Sequence, residues 1–72
     1  MKRKYVIYNE AGVDENGRPV RSMVKTFKNE PEAKAFYNDF RNARRYGSMY
    51  MYRSAGECTM LWDDRKEDWV YE

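Results

Sequence analysis

Four carboxylates fall within six residues, Asp63-Asp64 and Glu67-Asp68, the densest grouping of potential oxygen ligands in the chain. Hard cations such as Mg²⁺ and Ca²⁺ prefer such ligands. Arg65 and Lys66 interrupt the group, however, and its spacing matches no EF-hand loop, so the segment reads first as a solvated turn and second as an acidic patch for a basic partner. No metal site and no cofactor are expected.

The basic residues form two groups, Lys2-Arg3-Lys4 at the start and Arg41, Arg44, Arg45 further on. Phosphates are held by such side chains and bases stack on tyrosine rings. A nucleic-acid-binding module using these six residues, with tyrosine stacking, is one expectation. Against it, arginines near a helix end already suit the helix dipole, and no RNP1 pattern is present.

The run Ser48 to Ser54, SMYMYRS, is rich in the residue types enriched at protein interfaces. Tyr50, Tyr52, Arg53 and Trp62 are the candidate partner-binding residues. For the two tyrosines, an interface role and simple cover for the back of a sheet are both open. Met49 and Met51 are expected under a helix.

Much catalytic chemistry is missing. The chain has no histidine and a single cysteine, Cys58, so neither a Cys–His nucleophile pair nor the usual zinc ligand sets can be assembled. Ser22, Ser48 and Ser54 lack an adjacent base signature, and no glycine-rich phosphate loop occurs. No catalytic residue is assigned and a non-enzymatic protein is expected. Cys58 reads as a small buried hydrophobe, and a lone cysteine in so small a domain points to a reducing, cytoplasmic setting. Nothing approaches the roughly 20 apolar residues of a membrane span, and too few apolar residues follow Lys4 for a signal peptide.

Seventy-two residues bound the chain to one domain, residues 1–72, of marginal stability. Lysine and arginine number 14 against 12 acidic residues, a balance unlike that of a dedicated nucleic-acid arm. Tyr5 to Tyr8 reads as a strand, Glu10 to Pro19 as a long hairpin loop with the turn signal Asn16-Gly17, and Val20 to Phe27 as a second strand. In that second strand Val20, Ser22, Val24 and Thr26 are expected to alternate with Arg21, Met23, Lys25 and Phe27.

Asn29 as N-cap, Pro31 in the first turn and Gly47 as stop predict one helix from about Pro31 to Tyr46. Its apolar stripe would be Ala33, Phe36, Tyr37, Phe40 and Ala43. Ser48 to Ser54 and Cys58 to Trp62 form a second hairpin around Ala55-Gly56-Glu57. For Trp69-Val70-Tyr71, a fifth strand and a packed tail are both open.

The expected fold is therefore α+β, a ββαββ(β) antiparallel sheet with one helix packed on one face. One helix leaves the other face open to water or a partner. The function expected is a non-enzymatic protein-binding module acting through that face, a small phage-type or mobile-element inhibitor or adaptor of a host protein. Self-association is the simplest version.

Overall fold

A computed structural model describes residues 5–71. It is a small α+β fold: β1 (Tyr5–Val13), β2 (Pro19–Phe27), α1 (Glu30–Asn38), α2 (Phe40–Tyr46), β3 (Met49–Ala55), β4 (Cys58–Asp63) and β5 (Asp68–Tyr71). The five strands make one open antiparallel sheet in the order β2-β1-β3-β4-β5. Trp69-Val70-Tyr71 is thus a strand, an edge strand paired to β4. Lys2, Arg3 and Lys4 lie outside the described residues.

The first hairpin is longer than its sequence suggests. Pairing continues to Val13 and Pro19, so only Asp14 to Arg18 form the loop. Asp14 Oδ1 accepts from the backbone N–H of Asn16 and of Arg18, both at 2.9 Å, and Gly17 takes the positive φ of 77° that this turn requires. Polar residues such as Asn9 and Glu10 stay in β1 because the ladder to β2, rather than intrinsic propensity, decides their conformation.

The second strand departs from simple alternation. Ile7 pairs with Lys25 but Tyr8 pairs with Met23, so Val24 is the extra residue of a β-bulge. The bulge resets the strand's parity. Val24 and Phe27 both reach the core, whereas Arg21, Met23 and Thr26 share the other face.

The expected single helix is two. Asp39 is extended (φ −74°, ψ 115°), closing α1 and opening α2, and its Oδ1 accepts from Arg41 N–H at 2.9 Å. Phe36 O accepts from the Asp39 N–H at 3.3 Å and also from Asn42 Nδ2 at 3.0 Å, which ties α2 to the end of α1. The apolar stripe consequently stops short: Phe40 is 69% exposed and Ala43 is also exposed. The caps expected at Asn29 and Gly47 are present, Asn29 Oδ1 accepting from Glu32 N–H at 3.0 Å.

The Arg41 guanidinium beside Asp39 holds its carboxyl below the usual carboxylate range. A depressed pKa stabilises the folded chain above the ordinary carboxylate range, and that contribution is lost as the pH falls through the folded value. Asp39→Ala is therefore expected to lower the melting temperature at neutral pH, and the deficit relative to wild type should shrink on acidification. A deficit that does not change with pH would mean that the carboxylate charge is irrelevant to the cap.

The core is small. Ile7, Ala33 and Met51 are fully buried between α1 and the centre of the sheet, with Tyr5, Phe27, Phe36, Met49, Trp62 and Trp69 packed around them. Along α1, the polar stripe Glu30, Lys34, Tyr37 reaches over the β4–β5 side. Glu30 Oε1 accepts from Trp69 Nε1 at 2.9 Å, Lys34 Nζ lies 4.3 Å from the Trp62 ring centre, and Tyr37 Oη donates to Asp64 at 2.9 Å. One face of the sheet is covered and the other carries no helix.

Candidate interaction surface

Register assigns the side chains of the uncovered face. Directly opposed residues share a face, so the pairs Val6–Tyr52, Tyr8–Tyr50, Glu10–Arg21, Tyr8–Met23, Tyr52–Leu61 and Leu61–Val70 lie on one side, opposite Ile7 and Met51. Val6, Tyr8, Tyr50, Leu61 and Val70 are half-buried and Met23 is 53% exposed. The centre of this face is apolar and aromatic.

An arginine–tyrosine cluster organises it. The Arg21 guanidinium stands 4.0 Å from the Tyr50 ring centre and donates to Tyr52 Oη. Tyr50 Oη donates to Glu10 Oε1, and Tyr8 meets Tyr52 edge to face at 5.5 Å. The bond to Glu10 pushes the Tyr50 phenol above its ordinary value, burial adding to it and the Arg21 charge opposing it. Beside the cluster lies an open depression of about 300 Å³, bordered by Val6, Tyr8, Arg21, Tyr52, Ser54 and Thr59.

Of the residues expected to bind a partner, Tyr50 and Tyr52 are on this face, but Tyr52 is only 9% exposed because Arg21 and Tyr8 pack over it. Trp62 is not on it. Strand parity sends Trp62 to the helix side, where it packs edge-on against Trp69 at 5.3 Å. Arg53 borders the depression from its place in β3, yet its guanidinium lies over the Trp69 ring, 5.4 Å from the centre, also on the helix side. Glu10, Arg21, Met23 and Tyr8 were missed. The bulge at Val24 conceals the face of Arg21 and Met23 in the sequence, and Glu10 is concealed by its place in a stretch that reads as a loop.

The basic residues of α2 lie across the sheet from these tyrosines. Arg41 is paired with Asp39 through Nη2 at 3.0 Å, Arg45 stands 5.4 Å from the Tyr46 ring centre, and Arg44 is exposed. Asn9 Nδ2, on the helix side with Ile7, donates to Tyr46 O at 3.0 Å and holds that end of α2 there. Tyr52 is therefore across the sheet from the arginines of α2, whereas Tyr50 also borders a hollow shared with Phe40 and Ala43 of α2.

The acidic run is a turn. Asp63 Oδ1 accepts from Arg65 and Lys66 N–H at 2.9 and 3.2 Å, Asp64 receives Tyr37, and Glu67 adopts a φ of 51°. Among the described residues no three His, Cys, Asp or Glu side chains converge where they could hold a metal ion. Cys58, expected to be buried, is exposed; it opens β4 opposite Ala55, at the end of a hairpin beyond the reach of α1. No described helix is long and apolar enough to cross a membrane.

Burial first, and the hydrogen bond to Asp64 second, push the Tyr37 phenol well above its ordinary value. A raised folded-state pKa gives stability that is complete below the unfolded value of about 10 and is lost as the pH rises above it. Tyr37→Phe should therefore flatten the loss of stability above about pH 10 in urea titrations. Equal slopes for wild type and variant would exclude Tyr37 as a contributor to alkaline unfolding.

No protein-family model matches the chain, and no curated protein or solved structure matches it.

Proposed function

We propose that this chain is a non-enzymatic protein-binding module that works through the uncovered sheet face, as a cytoplasmic inhibitor or adaptor of the phage type. The observation that supports this most is the composition of that face: half-buried Val6, Tyr8, Tyr50, Leu61 and Val70, with exposed Met23, surround a guanidinium stacked on tyrosine. Tyrosine, methionine and arginine around an apolar centre make the residue mixture that protein interfaces favour. The charges there favour a protein over a nucleic acid. Arg21 is already engaged with Tyr50 and Tyr52 and is opposed by Glu10, while Asp63 and Asp68 stand at the far end of β4 and β5. A phosphate backbone would meet little positive charge on this side.

The experiment is affinity capture from the cells in which the protein acts, comparing wild type with Met23→Lys and with the double substitution Arg44→Glu/Arg45→Glu. The expected result is a captured protein lost with Met23→Lys and kept with the arginine variant. Capture of nucleic acid that disappears with the arginine variant would overturn the proposal in favour of a nucleic-acid-binding module.

A further inference from the structure

We infer that the hollow between the two helices and the split end of the sheet is a site for a methylated ammonium group, held by the rings of Tyr37 and Phe40 and the carboxylate of Asp64. It shares no bordering residue with the depression beside Tyr52.

The hollow exists because the sheet parts. β3 pairs with β1 as far as Met49 but with β4 only from Tyr52, while β4 continues along β5 to Asp63. The two strands separate at this end, leaving an open space of about 660 Å³ with Met49 and Tyr50 on one side and Asp64 on the other. Tyr37 and Asn38 at the end of α1, with Phe40 at the start of α2, complete the border. The volume is that of a small-ligand site.

The rings favour a cation. A positive group over an aromatic face is attracted by the ring quadrupole, and Tyr37, Phe40 and Tyr50 all border the space. Phe40 is 69% exposed and adds little to the core, so its ring is available to a ligand. Tyr50 already carries the Arg21 guanidinium 4.0 Å from its centre, which leaves Tyr37 and Phe40 as the rings on which the site depends.

Charge points the same way. Asp64 is the one ionisable acid or base among the described border residues, and Tyr37 Oη, donating to it at 2.9 Å, fixes the carboxylate beside the ring. Asn38 ends α1 and Gly47 caps α2, so the negative ends of both helix dipoles meet the hollow. The last turn of α1 has no basic residue to answer that end.

The same lining selects among cations. Mg²⁺ and Ca²⁺ gather about six or more oxygen ligands, and a single carboxylate does not provide them. A bare lysine ammonium is strongly hydrated. Methylation removes the donors that hold that water, and the methyl groups pack directly on aromatic faces.

The test is a titration of the full chain with choline, followed by NMR, alongside dimethylbutanol, the neutral carbon isostere of choline. Choline is expected to shift the signals of Tyr37, Phe40 and Gly47 saturably, with a dissociation constant on the order of 1–10 mM. The isostere should bind roughly tenfold more weakly, because it has the shape without the charge. Asp64→Asn keeps an acceptor for Tyr37 and removes the charge; Phe40→Leu keeps apolar bulk and removes the ring. Each should weaken choline binding roughly threefold to fivefold. Both should keep the wild-type far-UV spectrum, since both residues are exposed. A trimethyllysine derivative blocked at both ends separates the two sources of such a group: tighter binding than choline assigns the cation to a modified protein side chain, weaker binding to a free ammonium compound. Absence of shifts with either compound at tenfold the expected constant, an isostere that binds as well as choline, or indifference to both substitutions overturns the inference. None of these variants alters Met23, so the reading of the uncovered face is tested separately.

Discussion

Replacing Ile7 with Ala is expected to lower the free energy of unfolding by about 2–5 kcal/mol, the range for deleting a fully buried aliphatic side chain. Small domains have roughly 5–15 kcal/mol in total and this chain belongs near the bottom of that range, so most of its stability would be lost. Ile7 is fully buried and pairs with Met51 in β3 and Lys25 in β2, with Ala33 of α1 in the same cluster. Apart from Val24, the partly buried side chains packed on this cluster are aromatic or methionine, so little aliphatic volume is at hand to fill the space. Ile7→Val should cost only about 1 kcal/mol. Urea unfolding at one fixed protein concentration, which holds any association constant, measures both. A cost below about 1 kcal/mol for Ile7→Ala would mean that the cavity collapses and that the aromatic shell carries the core.

Trp69→Ala is the second large effect, about 3 kcal/mol, at the low end for a tryptophan because the ring is half-buried. Trp69 contacts Trp62 and Tyr5, lies beneath the Arg53 guanidinium, and donates Nε1–H to Glu30, so four attachments of β5 pass through one side chain. The strand has only four residues and lies at the edge. Loss of the ring should leave β5 unpaired while β1 to β3 stay folded. Near-UV circular dichroism reports this directly, through the signal of the two indoles 5.3 Å apart, and hydrogen exchange should accelerate in Asp68 to Tyr71 before it does elsewhere. Trp69→Phe keeps an aromatic ring but removes the donor and part of the ring volume, and should cost less than Trp69→Ala. Uniform acceleration across the sheet would show that β5 unfolds only with the whole domain.

The fold was readable where local signals agreed. The cap at Asn29, the Gly47 stop, the Asn16-Gly17 turn and the alternation of Met49 and Met51 with Tyr50 and Tyr52 all correspond to what the chain does. Failures arose where two rules competed. The 3.6-residue spacing runs through Phe40 and Ala43, but Asp39 prefers to turn its carboxylate onto the N–H of Arg41, and capping prevails over periodicity. Alternation in β2 was broken by an inserted residue that no composition reveals.

The candidate surface suffered most from that insertion. Tyr50 and Tyr52 could be placed together from their own strand, whereas Arg21 and Met23 depended on parity in β2, and Trp62 and Arg53 on which face α1 would take. Cys58 has the parity of a core residue and lies too far along its hairpin to be one. Parity names a face; only the helix footprint decides which part of it is dry.

The bulge at Val24 also governs how the chain can polymerise. An open sheet has two lateral borders at which further strands could be recruited, the route by which β-proteins grow into fibres. On this molecule one border is β2, kinked at Val24, begun by Pro19, which has no N–H to offer, and charged at Arg21 and Lys25; the other is the four-residue β5 with Asp68 at its start. Neither is a flat, uncharged template. Lateral growth is thereby discouraged at both borders of the sheet.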